Sequence, residues 1–177
     1  DSDRIYASGW SNGCAMAQRL AIESSHIFAA VGCMSFYLLM TPLNTYSPIP
    51  IMEVHGFLDQ VVLYESSVLS VPTNPGAWID PEAVQTGAIE NLYEWADLNR
   101  CTGLTPDYND QQPLYSVQGF SNCENNSQVR LVTIFGAQHN PYAKDYPGEG
   151  LGMLLPGTQG LVQSSYIVWD FLSQFSK

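Results

Sequence analysis

The chain has 177 residues, of which 45% are hydrophobic and 12% aromatic, a composition that is typical of one globular domain and excludes a disordered chain. It carries 17 acidic and 6 basic residues, so the formal net charge is −11 and the isoelectric point is about 4.3. This acidic balance argues against nucleic acid or an anionic membrane as a partner, and no stretch reaches the roughly 20 apolar residues of a membrane-spanning helix.

The first element in chain order is a strand that turns sharply into a helix. Residues Ile5–Ser8 are apolar and partly β-branched or aromatic, which predicts a buried strand, and Asn12–Ser25 predict a helix. Between them, Gly9, Ser11 and Gly13 form the Gly-x-Ser-x-Gly pattern of a nucleophile elbow, in which a strained turn lifts the serine above the helix N-terminus. Ser11 is therefore the candidate nucleophile. The alternative is a tight turn that carries a solvated serine.

An elbow strand normally lies in the centre of an α/β sheet, with a neighbour on each side. Only about three residues precede it in this sequence. We therefore expect further strands to complete the sheet, from an N-terminal portion of a larger hydrolase, from a processed second chain or from a partner. Without them, N–H and C=O groups of a central strand would lack partners.

The next two predicted strands lead to the candidate acid. Ala29–Cys33 is the first, and the apolar cluster Phe36–Met40 after it either lines an acyl or aromatic pocket or belongs to the core. Ile49–Gly56 is the second, and Asp59 follows it on a loop at the sheet edge where the acid of a catalytic triad must lie. We expect His55 to order that loop by hydrogen bonding rather than to transfer protons.

The middle of the chain contains predicted structural elements and no candidate catalytic residue. Residues 66–80 contain prolines and glycine that predict an irregular segment, either a plain packed loop or a surface insertion near the site. From Pro81 to about Leu98, apolar residues at helical spacing predict an amphipathic helix that packs on the sheet. A short strand is predicted at Leu114–Val117, inside a polar excursion.

The four cysteines bear on export and on metal binding. Cys101 and Cys123 flank the polar excursion, and Asn125 begins an acceptor sequence for glycosylation. These features predict a disulfide and a secreted, extracellular protein. Cys14 and Cys33 either pair or remain buried thiols. A zinc site is not expected, because the spacings are long and no histidine pair accompanies them.

The last predicted strand leads to the candidate base. Val129–Phe135 is this strand, and His139 follows it on a loop. Together with Ser11 and Asp59, this histidine completes the chain order Ser, Asp, His that is expected of an α/β-hydrolase. Leu161–Phe175 predicts a closing helix that covers the sheet.

Several motifs together carry a family resemblance. They are Arg4–Gly13, Phe28–Val31, Pro50–Asp59, Trp95 with Asn99 and Cys101, Cys123, and Gly136–His139. With these motifs, the sequence resembles the polyhydroxybutyrate depolymerase and feruloyl esterase family of secreted α/β-hydrolases. The resemblance covers most of the chain. The resemblance implies Ser11 as nucleophile, Asp59 as acid, His139 as base, a Cys101–Cys123 disulfide and ester substrates of modest acyl size.

The sequence departs from that family at three points. Cys14 stands where the family usually has a second glycine, and Gln138 precedes the histidine where a glycine is usual. The histidine is followed by residues 140–142, Asn-Pro-Tyr, where the family usually has a tryptophan. The family's first oxyanion loop, which normally lies upstream of the elbow, has no counterpart in this sequence.

The sequence as a whole predicts the C-terminal part of an α/β-hydrolase fold, with residues 1–177 as a single catalytic domain that lacks its N-terminal portion. The predicted function is a serine esterase for short-chain acyl, feruloyl or polyester substrates, in which the backbone N–H of Asn12 donates to the oxyanion. No cofactor or metal is expected. The alternatives are a serine peptidase of the prolyl oligopeptidase type and a non-catalytic module that binds a polymer.

Overall fold

The computed structural model describes residues 1–38, 44–64, 87–143 and 162–177. Within these ranges the chain forms one six-stranded sheet and three α-helices. The strands are β1 (Tyr6–Ala7), β2 (Ala30–Met34), β3 (Ile51–Gly56), β4 (Tyr108–Gln111), β5 (Tyr115–Phe120) and β6 (Val129–Ile134). The helices are α1 (Asn12–Glu23), α2 (Ala88–Leu98) and α3 (Ser164–Leu172). None of the helices in these ranges is long and apolar enough to cross a membrane.

The sheet is mixed, with strand order β1-β2-β3-β6-β5-β4. The pairs β1–β2, β2–β3 and β3–β6 are parallel, whereas β5 pairs antiparallel with both β6 and β4. The carboxyl ends of the four parallel strands therefore lie at one edge of the sheet, and the loops that follow β1, β2, β3 and β6 meet there. This arrangement belongs to the α/β class.

Helices cover both faces of the sheet, because neighbouring residues of each parallel strand point to opposite sides. On one face, α1 and α2 pack through residues such as Ile22 and Trp95 against Val31, Ile51 and Leu131. On the other face, α3 packs through Val168, Phe171 and Leu172 against Ala30, Met52, Val54 and Val132. The strands β2, β3 and β6 are buried on both sides, so the polar side chains that β3 and β6 carry are buried as well.

The predicted elements agree with the observed ones except at three places. The helix predicted from Pro81 begins at Ala88, because Gly87 before it is extended, with φ −162° and ψ 157°. The polar excursion contains the hairpin of β4 and β5, of which the sequence predicted only part of β5. Strand β4 is mostly exposed and so lacks the apolar alternation that predicts a strand.

The third difference concerns the elbow strand. Among the described residues, β1 pairs with β2 alone and so forms the edge of the sheet, where the sequence predicted a central strand. The predicted irregular segment 66–80 and residues 144–161 before α3 lie outside the described residues.

Both cysteine pairs form disulfides. Cys101 joins Cys123, as predicted, and Cys14 joins Cys33, a pairing that the sequence had left open. The first bridge closes the excursion that holds β4 and β5. The second links α1, one turn after the elbow, to β2.

Candidate active site

The turn between β1 and α1 has the geometry of a strained elbow. Ser11 has φ 54° and ψ −125°, a left-handed conformation that non-glycine residues rarely adopt. Its backbone N–H donates to the Met34 carbonyl at 2.9 Å, which fastens the turn to the end of β2. A Cβ on Gly9 would lie 2.4 Å from the backbone of Gly13, so the turn can close only with glycine at position 9. A Cβ on Gly13 would meet nothing within 4 Å.

Asp59 lies in a tight turn after β3 and is only 3% exposed. Its Oδ1 accepts the backbone N–H groups of Val61 at 2.9 Å and Val62 at 2.8 Å. Its Oδ2 lies 2.8 Å from Nδ1 of His139. Three N–H groups therefore surround the carboxylate, and they hold both of its oxygens in place.

His139 lies on the loop after β6 and connects the other two candidate residues. Its Nδ1 faces Asp59, and its Nε2 lies 2.9 Å from Oγ of Ser11. An ionised carboxylate only accepts hydrogen bonds, so Nδ1 carries the hydrogen and Nε2 is left to accept the serine O–H. The His139 side chain is 3% exposed, and the ring of Trp10 packs against its ring with centroids 5.4 Å apart. The arrangement can pass a proton from a serine hydroxyl to an imidazole.

The first N–H of α1 is available to an anion. Asn12 is the first residue of the helix and is exposed. The next two N–H groups, of Gly13 and Cys14, donate to the carbonyls of Trp10 and Ser11, whereas for the N–H of Asn12 the described chain contains no acceptor. The predicted oxyanion donor thus lies next to Ser11 with an unused hydrogen-bonding group at the positive end of a helix.

A second buried pair lies beneath the Asp59 turn. Nε2 of His55 lies 2.8 Å from the Val62 carbonyl, which can only accept, so Nε2 carries a hydrogen and ties β3 to the turn. Nδ1 of His55 lies 2.7 Å from Oε1 of Glu53, and both side chains are almost fully buried. His55 therefore orders the loop by a hydrogen bond, as the sequence predicts.

The environment of this pair shifts both groups towards the protonated state. Burial raises the pKa of Glu53. Burial alone would lower the pKa of His55, but the charge and hydrogen bond of Glu53, the charge of Asp59 and the hydrogen bond to the Val62 carbonyl together raise that pKa. Glu53 was not a candidate on sequence grounds, because it lies within a predicted strand. The signal that could have found it is the i, i+2 spacing, which puts both side chains on one face of β3.

The described part of the apolar cluster after β2 packs into the core. Tyr37 is buried and stacks on the ring of His55, with centroids 5.5 Å apart and an interplanar angle of 9°. Leu38 is 1% exposed and belongs to the core. At these two positions the cluster is core, whereas Leu39 and Met40 lie outside the described residues. The described ranges contain no group of three or more histidine, cysteine or acidic side chains that could hold a metal ion.

No protein-family model matches the chain. The chain is 29% identical over 181 residues to feruloyl esterase B of Piromyces equi, an alignment that spans 99% of this chain and 28% of that protein. It is 25% identical over 146 residues to a Nocardia uniformis subsp. tsuyamanensis protein named "Putative esterase NocK", spanning 78% of this chain and 42% of that protein. The chain thus spans less than half the length of either relative. Both are distant homologues with esterase names, which supports an ester hydrolase.

Proposed function

We propose that this chain carries the catalytic residues of a serine ester hydrolase with the α/β-hydrolase fold, and that its elements belong to a single catalytic domain. The observation that carries the proposal is the hydrogen-bonded series from Ser11 Oγ through His139 to Asp59, with distances of 2.9 Å and 2.8 Å. A nucleophile, a base within hydrogen-bond reach and a group that orients the base are the parts that acyl transfer requires. The strained serine at a strand-to-helix turn supports the same reading.

The proposed reaction has two halves. His139 Nε2 takes the proton of Ser11 as Oγ bonds to the ester carbonyl carbon, and Asp59 stabilises the imidazolium that forms. The imidazolium then passes this proton to the alcohol oxygen, the C–O bond breaks, and the acyl group stays on Ser11. Water attacks the acyl-enzyme in the second half, giving its proton to His139, and the released Ser11 takes that proton back.

Negative charge develops on the carbonyl oxygen in both halves of the reaction. The backbone N–H of Asn12 is the proposed donor, since it is adjacent to Ser11 and lies at the N-terminus of α1. The loss of one such donor typically lowers kcat by about 10² to 10³. A backbone group in this position is held by the elbow itself, so it needs no reorganisation as the charge forms.

The proposed substrates are carboxylic esters of modest acyl size, with feruloyl esters the first to test because one relative is named a feruloyl esterase. Polyhydroxybutyrate-type polyesters are a second choice that rests on the motif resemblance. We also propose that the protein is secreted, since two disulfides are typical of an oxidising compartment.

The test is the substitution Ser11→Ala in the full-length protein, assayed with p-nitrophenyl acetate, p-nitrophenyl butyrate and methyl ferulate. We expect a loss of turnover of about 10⁴-fold or more with the fold intact by circular dichroism. Ser8→Ala is the matched control, because Ser8 is an exposed serine in the same turn region. A fluorophosphonate should label wild type and Ser8→Ala at Ser11, and should not label Ser11→Ala.

Three results would contradict the proposal. They are retained ester turnover in Ser11→Ala, cleavage of a short peptide in preference to the esters, and an inert wild-type protein that binds a polyester or cell-wall polymer without cleaving it.

A further inference from the structure

A network of buried hydroxyl groups joins the carboxyl ends of three strands at the candidate active site. Its centre is Tyr142, which is fully buried two positions after the loop residue Asn140. The Tyr142 hydroxyl oxygen accepts the backbone N–H of Gly56 at 2.6 Å and lies 2.5 Å from Oγ of Ser35. Ser35 in turn donates to the carbonyl of Asn140 at 3.4 Å. The network therefore connects the ends of β2 and β3 to the loop after β6.

The direction of each hydrogen bond follows from the chemistry of its ends. The Gly56 N–H can only donate and the Asn140 carbonyl can only accept. The single hydrogen of Tyr142 is thus directed to Ser35, and that of Ser35 to Asn140. Burial raises the pKa of Tyr142 well above its ordinary value, so the phenol keeps its hydrogen. The chain of donors from Gly56 to Asn140 is complete, and removal of any hydroxyl leaves a buried partner unsatisfied.

The network connects to each residue of the proposed triad through a chain neighbour or a backbone hydrogen bond. Ser35 follows Met34, whose carbonyl accepts the Ser11 N–H at 2.9 Å. The carbonyl of Gly56 accepts the Asp59 N–H at 3.1 Å. Asn140 directly follows His139 in the chain.

Three of the six non-glycine residues with positive φ in the described ranges lie at the same place. Ser11, Ser35 and Tyr142 all have positive φ, at 54°, 60° and 50°. A non-glycine residue adopts this conformation at a cost, which the surrounding contacts must offset. The Tyr142 backbone is held by a hydrogen bond of 2.7 Å from its N–H to the side chain of Asn140. The contacts of Tyr142 thus hold the loop of His139 in a conformation that it would not adopt alone.

We propose that Tyr142 is a positioning residue, whose hydroxyl, with that of Ser35, holds the loops of Ser11, Asp59 and His139 at their catalytic separations. This inference rests on the proposed function, since it concerns the same three residues. Neither hydroxyl contacts those three side chains or the reacting atoms, so the effect on catalysis is indirect. Its loss lowers the fraction of molecules with correct geometry rather than removing a chemical step.

The first test is Tyr142→Phe in the full-length protein, which keeps the ring and removes the hydroxyl. We expect kcat to fall about 10- to 100-fold while KM stays within about twofold, because a displacement of about 1 Å costs on that order and no substrate contact is removed. Tyr46→Phe is the matched control. The Tyr46 hydroxyl, near the amino end of β3, also pairs with a side chain, that of Asn99, and accepts a backbone N–H, from Ile49 at 3.5 Å. The Tyr46→Phe variant should be less stable than wild type and have the same kcat.

The second test is Ser35→Ala, alone and combined with Tyr142→Phe. If the two hydroxyls act as one unit, Ser35→Ala lowers kcat by a similar factor, and the double variant is no slower than the slower single variant. Ser35→Ala removes the other hydroxyl of the same network, so it decides the question if Tyr142→Phe does not fold. Equal kcat in wild type and Ser35→Ala, or independent multiplication of the two losses, would overturn the proposal.

A spectroscopic measurement separates positioning from general destabilisation. In NMR spectra, the hydrogen on Nδ1 of His139, which faces Asp59, should exchange with water faster in Tyr142→Phe than in wild type. Its exchange rate should be unchanged in Tyr46→Phe.

If Ser11→Ala stays active, the proposed nucleophile is wrong. If Ser11→Ala is inert and Tyr142→Phe keeps both kcat and this signal, only the positioning role is wrong.

Discussion

At the scale of single residues, the least expected feature is the buried pair of Glu53 and His55 under the Asp59 turn. Its hydrogen bond of 2.7 Å joins two groups that are almost removed from water. When both groups are ionised their opposite charges offset each other, so burial of the pair costs less than burial of an isolated charge. The pair fixes the position of the Asp59 turn, because Nε2 of His55 donates to the Val62 carbonyl at the end of that turn.

This pair predicts a pH dependence of stability. Both pKa values are raised above those of the unfolded chain, which are near 4.5 for Glu53 and 6.5 for His55. The folded state thus binds more protons, and the stability from this pair is complete below the unfolded pKa values and is lost as the pH rises through the folded ones. We expect the free energy of unfolding to fall as the pH rises above the unfolded pKa of His55, which is 6.5, and to fall less in Glu53→Gln.

Urea unfolding at a series of pH values would measure this difference, with the slopes compared rather than the absolute stabilities. Glu53→Gln keeps the size of the side chain and a possible hydrogen bond to His55, and it removes the carboxylate that raises the histidine pKa. Parallel pH profiles for wild type and variant would mean that the pair does not take up a proton on folding.

At the scale of elements, the unit that matters most is the β1 turn into α1. Two glycines flank Ser11 in the sequence, and the structure assigns them different importance. Gly9 packs directly on the backbone of Gly13, whereas a side chain on Gly13 would enter open space. The tight approach of strand end to helix start, rather than the symmetry of the motif, is what requires glycine.

We therefore expect Gly9→Ala to disrupt the turn and Gly13→Ala to be tolerated by the fold. At position 9 the added Cβ would meet backbone atoms at 2.4 Å, and backbone cannot rotate away as a flexible side chain could. Gly9→Ala should lower the midpoint of thermal unfolding and abolish fluorophosphonate labelling of Ser11. Gly13→Ala should keep both the midpoint and the labelling. Equal behaviour of the two variants would show that the turn is looser than this geometry.

At the scale of the whole molecule, the fold is held by apolar cores on both faces of the sheet and by the two disulfides. The ion pairs Arg19–Glu23 and Arg100–Glu124 lie on the surface and contribute little. The Cys101–Cys123 bridge has a sequence separation of 22 residues and joins the end of α2 to the start of the segment that leads into β6. It closes the excursion that holds the hairpin of β4 and β5.

Replacement of Cys101 and Cys123 together by serine should lower the free energy of unfolding by about 3 kcal/mol, the loop-closure estimate for a loop of this length. Urea unfolding of oxidised wild type and of the double variant would measure the loss. Wild type in reductant is the control, and it should be no more stable than the variant. A difference below about 0.5 kcal/mol would mean that the hairpin orders the excursion without the bridge.

The sequence was informative wherever a structural rule is local. The pattern of apolar residues predicted the buried strands, and the placement of glycines predicted the elbow at Ser11. The position of loops after strands predicted Asp59 and His139 at the same edge of the sheet. The structure brings these three side chains within hydrogen-bond distance of one another, and their catalytic role stays a prediction. The predicted helix before α2 was wrong at Gly87, because helical periodicity does not reveal that this residue is extended, and residues 81–86 lie outside the described ranges.

Only the tertiary structure decided the contacts between distant segments. The Cys14–Cys33 bridge, the partnership of His55 with the Val62 carbonyl and the hydroxyl network of Tyr142 depend on which side chains meet across the sheet. A shift of one residue in strand register would turn each side chain to the opposite face. Local pattern therefore determines which residues lie at the sheet edge, while register and burial determine which of them touch, because those depend on the packing of the whole fold.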